Sequence, residues 1–66
     1  MNGKLMKERR RALGMTQMQL AVAVGASSVT QVSGWERGCR VASVPKLRKL
    51  AEVLGVTMEQ LLEEEE

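Results

Sequence analysis

The sequence has little of what most catalytic and metal sites are built from. It contains no histidine and one cysteine, Cys39, so an intramolecular disulfide and a Cys/His metal cluster are both excluded. It also has no phosphate-cradling glycine loop and no carboxylate pair placed for acid–base chemistry. These absences predict a protein that is not an enzyme and that uses no metal, cofactor or small-molecule substrate.

Long apolar runs are missing as well. No run reaches the roughly 18 residues of a membrane span, and the basic start is not followed by the apolar segment of a signal peptide. We therefore expect a soluble, cytoplasmic protein with no membrane partner. Trp35 is the single aromatic residue. It follows Val32 by three positions on one helix face, so a core role is favoured over a stacking platform.

Charge is unevenly distributed along the chain. The net charge is +2, yet four of the eight acidic residues form the run at positions 63–66. The other 62 residues carry ten basic and four acidic groups, an excess of six positive charges. Such an excess favours a polyanionic partner, with nucleic acid ahead of an anionic membrane surface.

Glycines divide the sequence into helical segments. Gly14, Gly25, Gly38 and Gly55 each follow a stretch of helical composition, as residues just beyond a helix C-terminus often do. The sequence therefore predicts four helices and a short fifth, an all-α fold in a single domain of residues 1–66 with an acidic tail at 63–66.

Local signals predict where the helices start. Pro45 suits the first turn of the fourth helix, where its missing amide hydrogen costs little. Three pairs have the Ser/Thr-x-x-Gln spacing of a capping box. They are Thr16 with Gln19, Ser28 with Gln31, and Thr57 with Gln60.

Apolar residues at helical spacing predict the buried faces. The first helix, from about residue 2 to residue 13, has Leu5, Met6, Ala12 and Leu13 as its apolar stripe. Further along, the expected core residues are Leu20, Ala21, Val24, Val32, Trp35, Leu47, Leu50, Ala51 and Leu54.

Three motifs, in this order and spacing, resemble the lambda-repressor-like helix-turn-helix regulators of phage repressor and Cro type. Residues 10–25 read R-x-x-x-G-M-T-Q-x-x-L-A-x-x-x-G, residues 32–38 read V-S-x-W-E-x-G, and residues 47–56 read L-x-x-L-A-x-x-L-G-V. The resemblance covers nearly the whole chain. It implies a compact five-helix domain whose second and third helices bind double-stranded DNA, usually as a dimer on a near-palindromic operator.

The resemblance also implies roles for individual residues. In this geometry the third helix presents its N-terminal residues to base edges in the major groove. The base-contacting candidates are Ser28, Val29, Thr30, Gln31 and Ser33, and the phosphate-contacting candidates are Gln17, Arg37, Arg40 and Lys46. Arg10 and Glu36 match the family's pair that joins the first helix to the end of the third helix, which is called the recognition helix. Val32 and Trp35 are expected to be structural.

For three of these assignments a second interpretation stays open. Val29 lies three residues before Val32, so it could instead belong to the core. Gln17 could be an ordinary solvated side chain, and part of the basic set could serve solubility alone.

The sequence departs from the family pattern at two places. One extra residue stands between Gly25 and Val32, which leaves the register of the base-reading residues open by one position. Gly34 stands where relatives commonly carry a polar side chain, and we expect it to remove one groove contact.

The function predicted is a sequence-specific transcriptional regulator, with repression favoured, that acts as a homodimer. We expect the dimer contact around the fifth helix, at Met58, Leu61 and Leu62. The alternative is a protein-interaction module on the same fold that holds a regulator or toxin.

Overall fold

The part of the chain that the structure describes contains five α-helices. The structure, a computed structural model, describes residues 1–63, and these contain no strand. The helices are α1 (Gly3–Ala12), α2 (Gln17–Val24), α3 (Val29–Glu36), α4 (Val44–Leu54) and α5 (Met58–Leu62). The predicted all-α, five-helix fold is confirmed. Of the acidic tail, Glu63 is exposed and residues 64–66 lie outside the described residues.

Two of the three predicted capping boxes form. The Thr16 hydroxyl accepts from the Gln19 amide at 3.1 Å, while the Gln19 side chain accepts from the Thr16 amide at 2.8 Å. Thr57 and Gln60 repeat this arrangement at 3.0 and 2.9 Å. Each box satisfies two amide donors that a helix start leaves without partners, which fixes where α2 and α5 begin.

The predicted capping box at Ser28 is wrong. Ser28 is the residue before α3, but its side chain makes no capping hydrogen bond. The Gln31 amide donates to the Ser28 carbonyl at 3.2 Å, so the donor that the hydroxyl would have satisfied is already paired. The Gln31 carboxamide oxygen accepts instead from the Ser27 amide at 3.3 Å.

All five helices contribute residues to the core, and α2 packs against both α3 and α4. Met6, Leu20, Val32, Leu50, Leu54 and Leu61 are fully buried. Trp35 is 3% exposed and joins this cluster together with Ala21, Val24, Leu47 and Ala51. The apolar faces predicted for α2 and α4 are therefore the buried ones.

The predicted apolar stripe of α1 is partly wrong. Ala12 and Leu13 are exposed, with Leu13 at 47%, and the buried row is Gly3, Met6 and Arg10. Gly3 packs against the carbonyl groups of Trp35 and Glu36, leaving no space for a Cβ atom. This contact with α3 sets the rotation of α1 about its axis, so a charged residue enters the interior while a leucine faces solvent.

The fifth helix has a different apolar surface from the one expected. Leu61 is fully buried, and its carbonyl accepts from the Asn2 amide at 2.7 Å, which ties α5 to the N-terminus. Leu61 therefore cannot form part of an outer contact surface, and that expectation is wrong. Met58 is partly buried against the core, whereas Leu62 is 51% exposed.

Candidate nucleic-acid interface

A tight turn joins α2 to α3 and brings the two helices together. Gly25 ends α2 with φ 72°, a backbone conformation that L-residues other than glycine rarely adopt. The Ala26 amide returns to the Ala21 carbonyl at 2.9 Å, which closes the end of α2. Ala21 is small and only 3% exposed, so it lets α3 cross α2 closely. The result is a helix-turn-helix unit of α2 and α3.

A buried polar network fixes this unit to α1. Arg10 Nε donates to Glu36 Oε2 at 2.7 Å and Arg10 Nη2 donates to Glu36 Oε1 at 3.2 Å, a two-pronged pairing. The side chains of Arg10 and Glu36 are only 10% and 3% exposed. Arg10 Nη1 also donates to the Met15 carbonyl at 2.8 Å. The pair therefore links α1, the segment before α2 and the end of α3.

Gln17 joins the same network. Its Nε2 donates to Glu36 Oε1 at 3.1 Å, so the side chain is held at the first turn of α2 and is half-buried. A carboxamide nitrogen carries two hydrogens, and this bond uses one of them. Gln17 is thus an oriented side chain with donor capacity left, at a helix N-terminus whose dipole favours anions. No sequence motif indicates the bond from Gln17 to Glu36.

The outward face of α3 is lined by small side chains. Thr30 is exposed, and Ser33 is half-buried three residues further on, on the same side of the helix as Thr30. Ser28 is exposed at the start of the helix, and Val29 is half-buried. Because none of these side chains is long or charged, another molecule can approach the helix closely along this row.

Gln31 differs from its neighbours in the predicted base-contacting set. It is half-buried, and its carboxamide is bonded to the turn through the Ser27 amide. It also lines a cavity of about 430 Å³ beside α3. The structure therefore places Gln31 at the edge of the outward row rather than within it.

Gly34 is not an open position on this face. It is buried, and a Cβ atom built on it would lie 2.7 Å from Arg40 Cδ. The Arg40 side chain occupies the space that a side chain at position 34 would fill. Sequence reasoning missed this contact because it depends on how the chain returns after α3.

Three basic residues lie near α3. Arg37 and Arg40 are exposed, Lys46 is half-buried, and Arg40 and Lys46 both line the cavity beside α3. Within residues 1–63, none of the three has a carboxylate within ion-pair distance. The outward face of α3 carries small, uncharged side chains, and these cations lie near it. This combination is suited to binding a polyanion along the helix.

Metal-binding clusters and membrane-spanning helices are both absent from the part of the chain that the structure describes. No group of acidic, histidine and cysteine side chains is placed to hold a metal ion there. None of the five helices is long and apolar enough to cross a membrane.

Comparison with known proteins identifies the family of this helix-turn-helix fold. A family model described as helix-turn-helix matches residues 6–61. The crystal structure of the restriction-modification controller protein C.AhdI from Aeromonas hydrophila is similar in fold, with a TM-score of 0.78. It is 35% identical in sequence, and the match covers 91% of this chain and 89% of that one. No curated protein sequence matched. The chain belongs to the lambda-repressor-like helix-turn-helix family of DNA-binding transcription regulators.

Proposed function

We propose that the protein binds one specific operator sequence in double-stranded DNA, as a homodimer on a near-palindromic site, and represses transcription there. The observation that carries this proposal is the outward row of α3, formed by Thr30 and Ser33, together with nearby cations that have no carboxylate partner within residues 1–63. A helix of eight residues with such a face can enter the major groove without steric hindrance.

Base reading is assigned to the N-terminal half of α3. Ser28 and Thr30 are exposed hydroxyl residues that can donate to or accept from base edges. Val29 and the Thr30 methyl group can pack against thymine methyl groups. Ser33 and Gln31 flank this set, and the bond from Gln31 to the turn favours Ser33 of the two.

Phosphate contacts are assigned to the surrounding donors. Lys46 lies in the first turn of α4, Arg37 directly follows α3, and Arg40 lies against Gly34 of α3, so these residues can contact the DNA backbone beside the recognition helix. Gln17 is held by Glu36 with one amide hydrogen free for a phosphate oxygen. Contacts of this kind set position and affinity but do not by themselves read sequence.

Dimerisation is part of the proposal because a single recognition helix reads few bases. Two copies on a two-fold operator double the contacts without a larger fold. Leu62 is 51% exposed at the end of α5 and offers an apolar contact for the second copy. With so little exposed leucine there, we expect the free protein to be a weak dimer that DNA stabilises.

The likeness to C.AhdI suggests which genes the regulator acts on. That protein is described as a restriction-modification controller, and the similarity extends over nearly all of both chains. We propose that this protein likewise controls genes of a restriction-modification system. In this proposal the chain works as one DNA-binding domain in the cytoplasm, without enzymatic activity of its own.

Selection of bound sequences from a random DNA pool tests the proposal. The expected result is a two-fold symmetric consensus whose half-sites lie about 34 Å apart on one face of the duplex. Footprinting at saturating protein should then cover both half-sites. A pool that yields no consensus, with affinity that stays at the nonspecific level, would favour the protein-interaction alternative.

A further inference from the structure

The side chain of Arg40 lies in the space that a side chain at position 34 would need. A Cβ atom built on Gly34 would be 2.7 Å from Arg40 Cδ, 3.0 Å from Cγ and 3.3 Å from Nε. Gly34 is buried, although Arg40 as a whole is exposed. The aliphatic part of Arg40 therefore covers the backbone of α3, while the rest of the side chain reaches solvent.

The backbone of Arg40 is held at the same residue. Gly38, with φ 77°, turns the chain back after α3. The amides of Cys39 and Arg40 both donate to the Gly34 carbonyl, at 2.9 and 3.2 Å. The backbone of Arg40 and the aliphatic part of its side chain therefore both lie against Gly34.

This arrangement brings a loop residue onto the recognition helix. Gly34 follows Thr30 by one helical turn, so the two positions lie on the same side of α3. The Arg40 guanidinium group thus extends the row of Thr30 although it belongs to the segment after the helix. Within residues 1–63 it has no carboxylate partner, which leaves its fork of donors available for DNA.

We propose that Gly34 is a positioning residue for DNA binding, because the missing side chain holds Arg40 in place beside the recognition helix. Any side chain at position 34 displaces Arg40 and weakens its contact with DNA while the fold is retained. Holding the arginine in its bound conformation reduces the entropy that binding must remove. This inference rests on the proposed function, since it concerns how one of its DNA contacts is made.

A double-mutant cycle isolates the effect. The variants are Gly34→Ala, Arg40→Ala and the double variant, with Arg11→Ala as a control that removes an exposed arginine from α1. Gly34→Ala is expected to fold, because the three nearest atoms that its Cβ meets all belong to the movable Arg40 side chain. Alanine also favours a helix interior over glycine. Circular dichroism and thermal unfolding check that each variant folds.

Affinity for the selected operator is then measured over a range of salt concentrations. Arg40→Ala should weaken binding and lower the log-log salt slope by roughly one. Gly34→Ala should weaken binding by roughly three- to tenfold when Arg40 is present, and should have no further effect once Arg40 is alanine. Arg11→Ala should change binding less than Arg40→Ala does.

The outcomes separate this inference from the proposed function. Equal weakening by Gly34→Ala with and without Arg40 would overturn the inference alone, as would unchanged binding in Gly34→Ala. A Gly34→Ala protein that fails to fold would also overturn it, because the new methyl group would then clash with more than a movable side chain. A wild-type protein that binds no DNA sequence specifically would overturn both.

Discussion

At the scale of single residues, Glu36 is the point where three helical elements meet. Its carboxylate accepts from Arg10 at the end of α1 and from Gln17 at the start of α2, and it belongs to the last turn of α3. Buried ion pairs add little net stability relative to apolar residues of similar volume, but losing one partner is costly. The network therefore serves chiefly to hold the recognition helix at a fixed orientation.

Glu36→Ala should destabilise the protein by about 3 to 5 kcal/mol, because the buried charge of Arg10 is left without a carboxylate partner. Denaturant unfolding followed by circular dichroism measures the change. Glu52→Ala is the matched control, since Glu52 is exposed on α4 and its loss should cost less than about 0.5 kcal/mol. A Glu36→Ala protein as stable as the control would show that the pair is not needed for the fold.

At the scale of helices, the capping boxes and the glycines in the sequence predicted where helices start and end. The capping boxes at Thr16 and Thr57 involve residues only three positions apart, so their spacing alone locates the helix starts. The four glycines followed helical segments for an equally local reason, since all four adopt positive φ at turns. The number, the order and the approximate bounds of the five helices could therefore be predicted from the sequence.

Features that depend on packing between helices could not be predicted in this way. The inward face of α1 is set by Gly3 against the carbonyls of α3 and by the pairing of Arg10 with Glu36, neither of which is visible in apolar spacing. The burial of Leu61 depends likewise on contact with the rest of the core. At the candidate site, the cover that Arg40 provides for Gly34 depends on the path of the loop after α3.

The start of α2 is capped by a side chain and the start of α3 is not, which gives a prediction at the scale of helices. Thr16→Ala removes a hydroxyl that caps α2 and should cost about 1 kcal/mol of unfolding free energy. Ser28→Ala removes a hydroxyl that makes no capping bond and should cost much less. Thermal unfolding of the two variants under identical conditions provides the comparison. Equal losses, or a larger loss for Ser28→Ala, would mean that Ser28 caps α3 after all.

At the scale of the whole molecule, the core depends on one large side chain. Trp35 is the single aromatic residue of the chain and is 3% exposed between the helices. Trp35→Ala should cost about 3 to 5 kcal/mol through lost apolar burial and the cavity left behind. Because a domain of this size has a total stability of only ~5 kcal/mol or somewhat more, most of the helical circular dichroism should be lost.

Trp35→Phe is the matched control for this prediction. It keeps an aromatic ring in the core, so it should retain helical circular dichroism and specific DNA binding at a reduced melting temperature. A Trp35→Ala protein that melts at the temperature of the wild type would contradict the central place of Trp35 in the core.

The central claim is that the outward row of α3 reads bases while the surrounding cations hold phosphates. The most direct measurement compares Thr30→Ala and Lys46→Ala on the selected operator and on random DNA, over a range of salt concentrations. Thr30→Ala should cost about 1 to 3 kcal/mol on the operator alone, with random-DNA affinity nearly unchanged. Lys46→Ala should weaken both by similar factors and lower the log-log salt slope by roughly one.

Repeating the sequence selection with each variant completes the measurement. The account predicts that Thr30→Ala relaxes the preference at one base pair in each half-site, whereas Lys46→Ala leaves the consensus unchanged. If Thr30→Ala and Val29→Ala were both silent while Gln31→Ala or Ser33→Ala shifted the consensus, the register assigned to α3 would be wrong. If none of the four changed the preferred sequence, base reading by α3 would be contradicted.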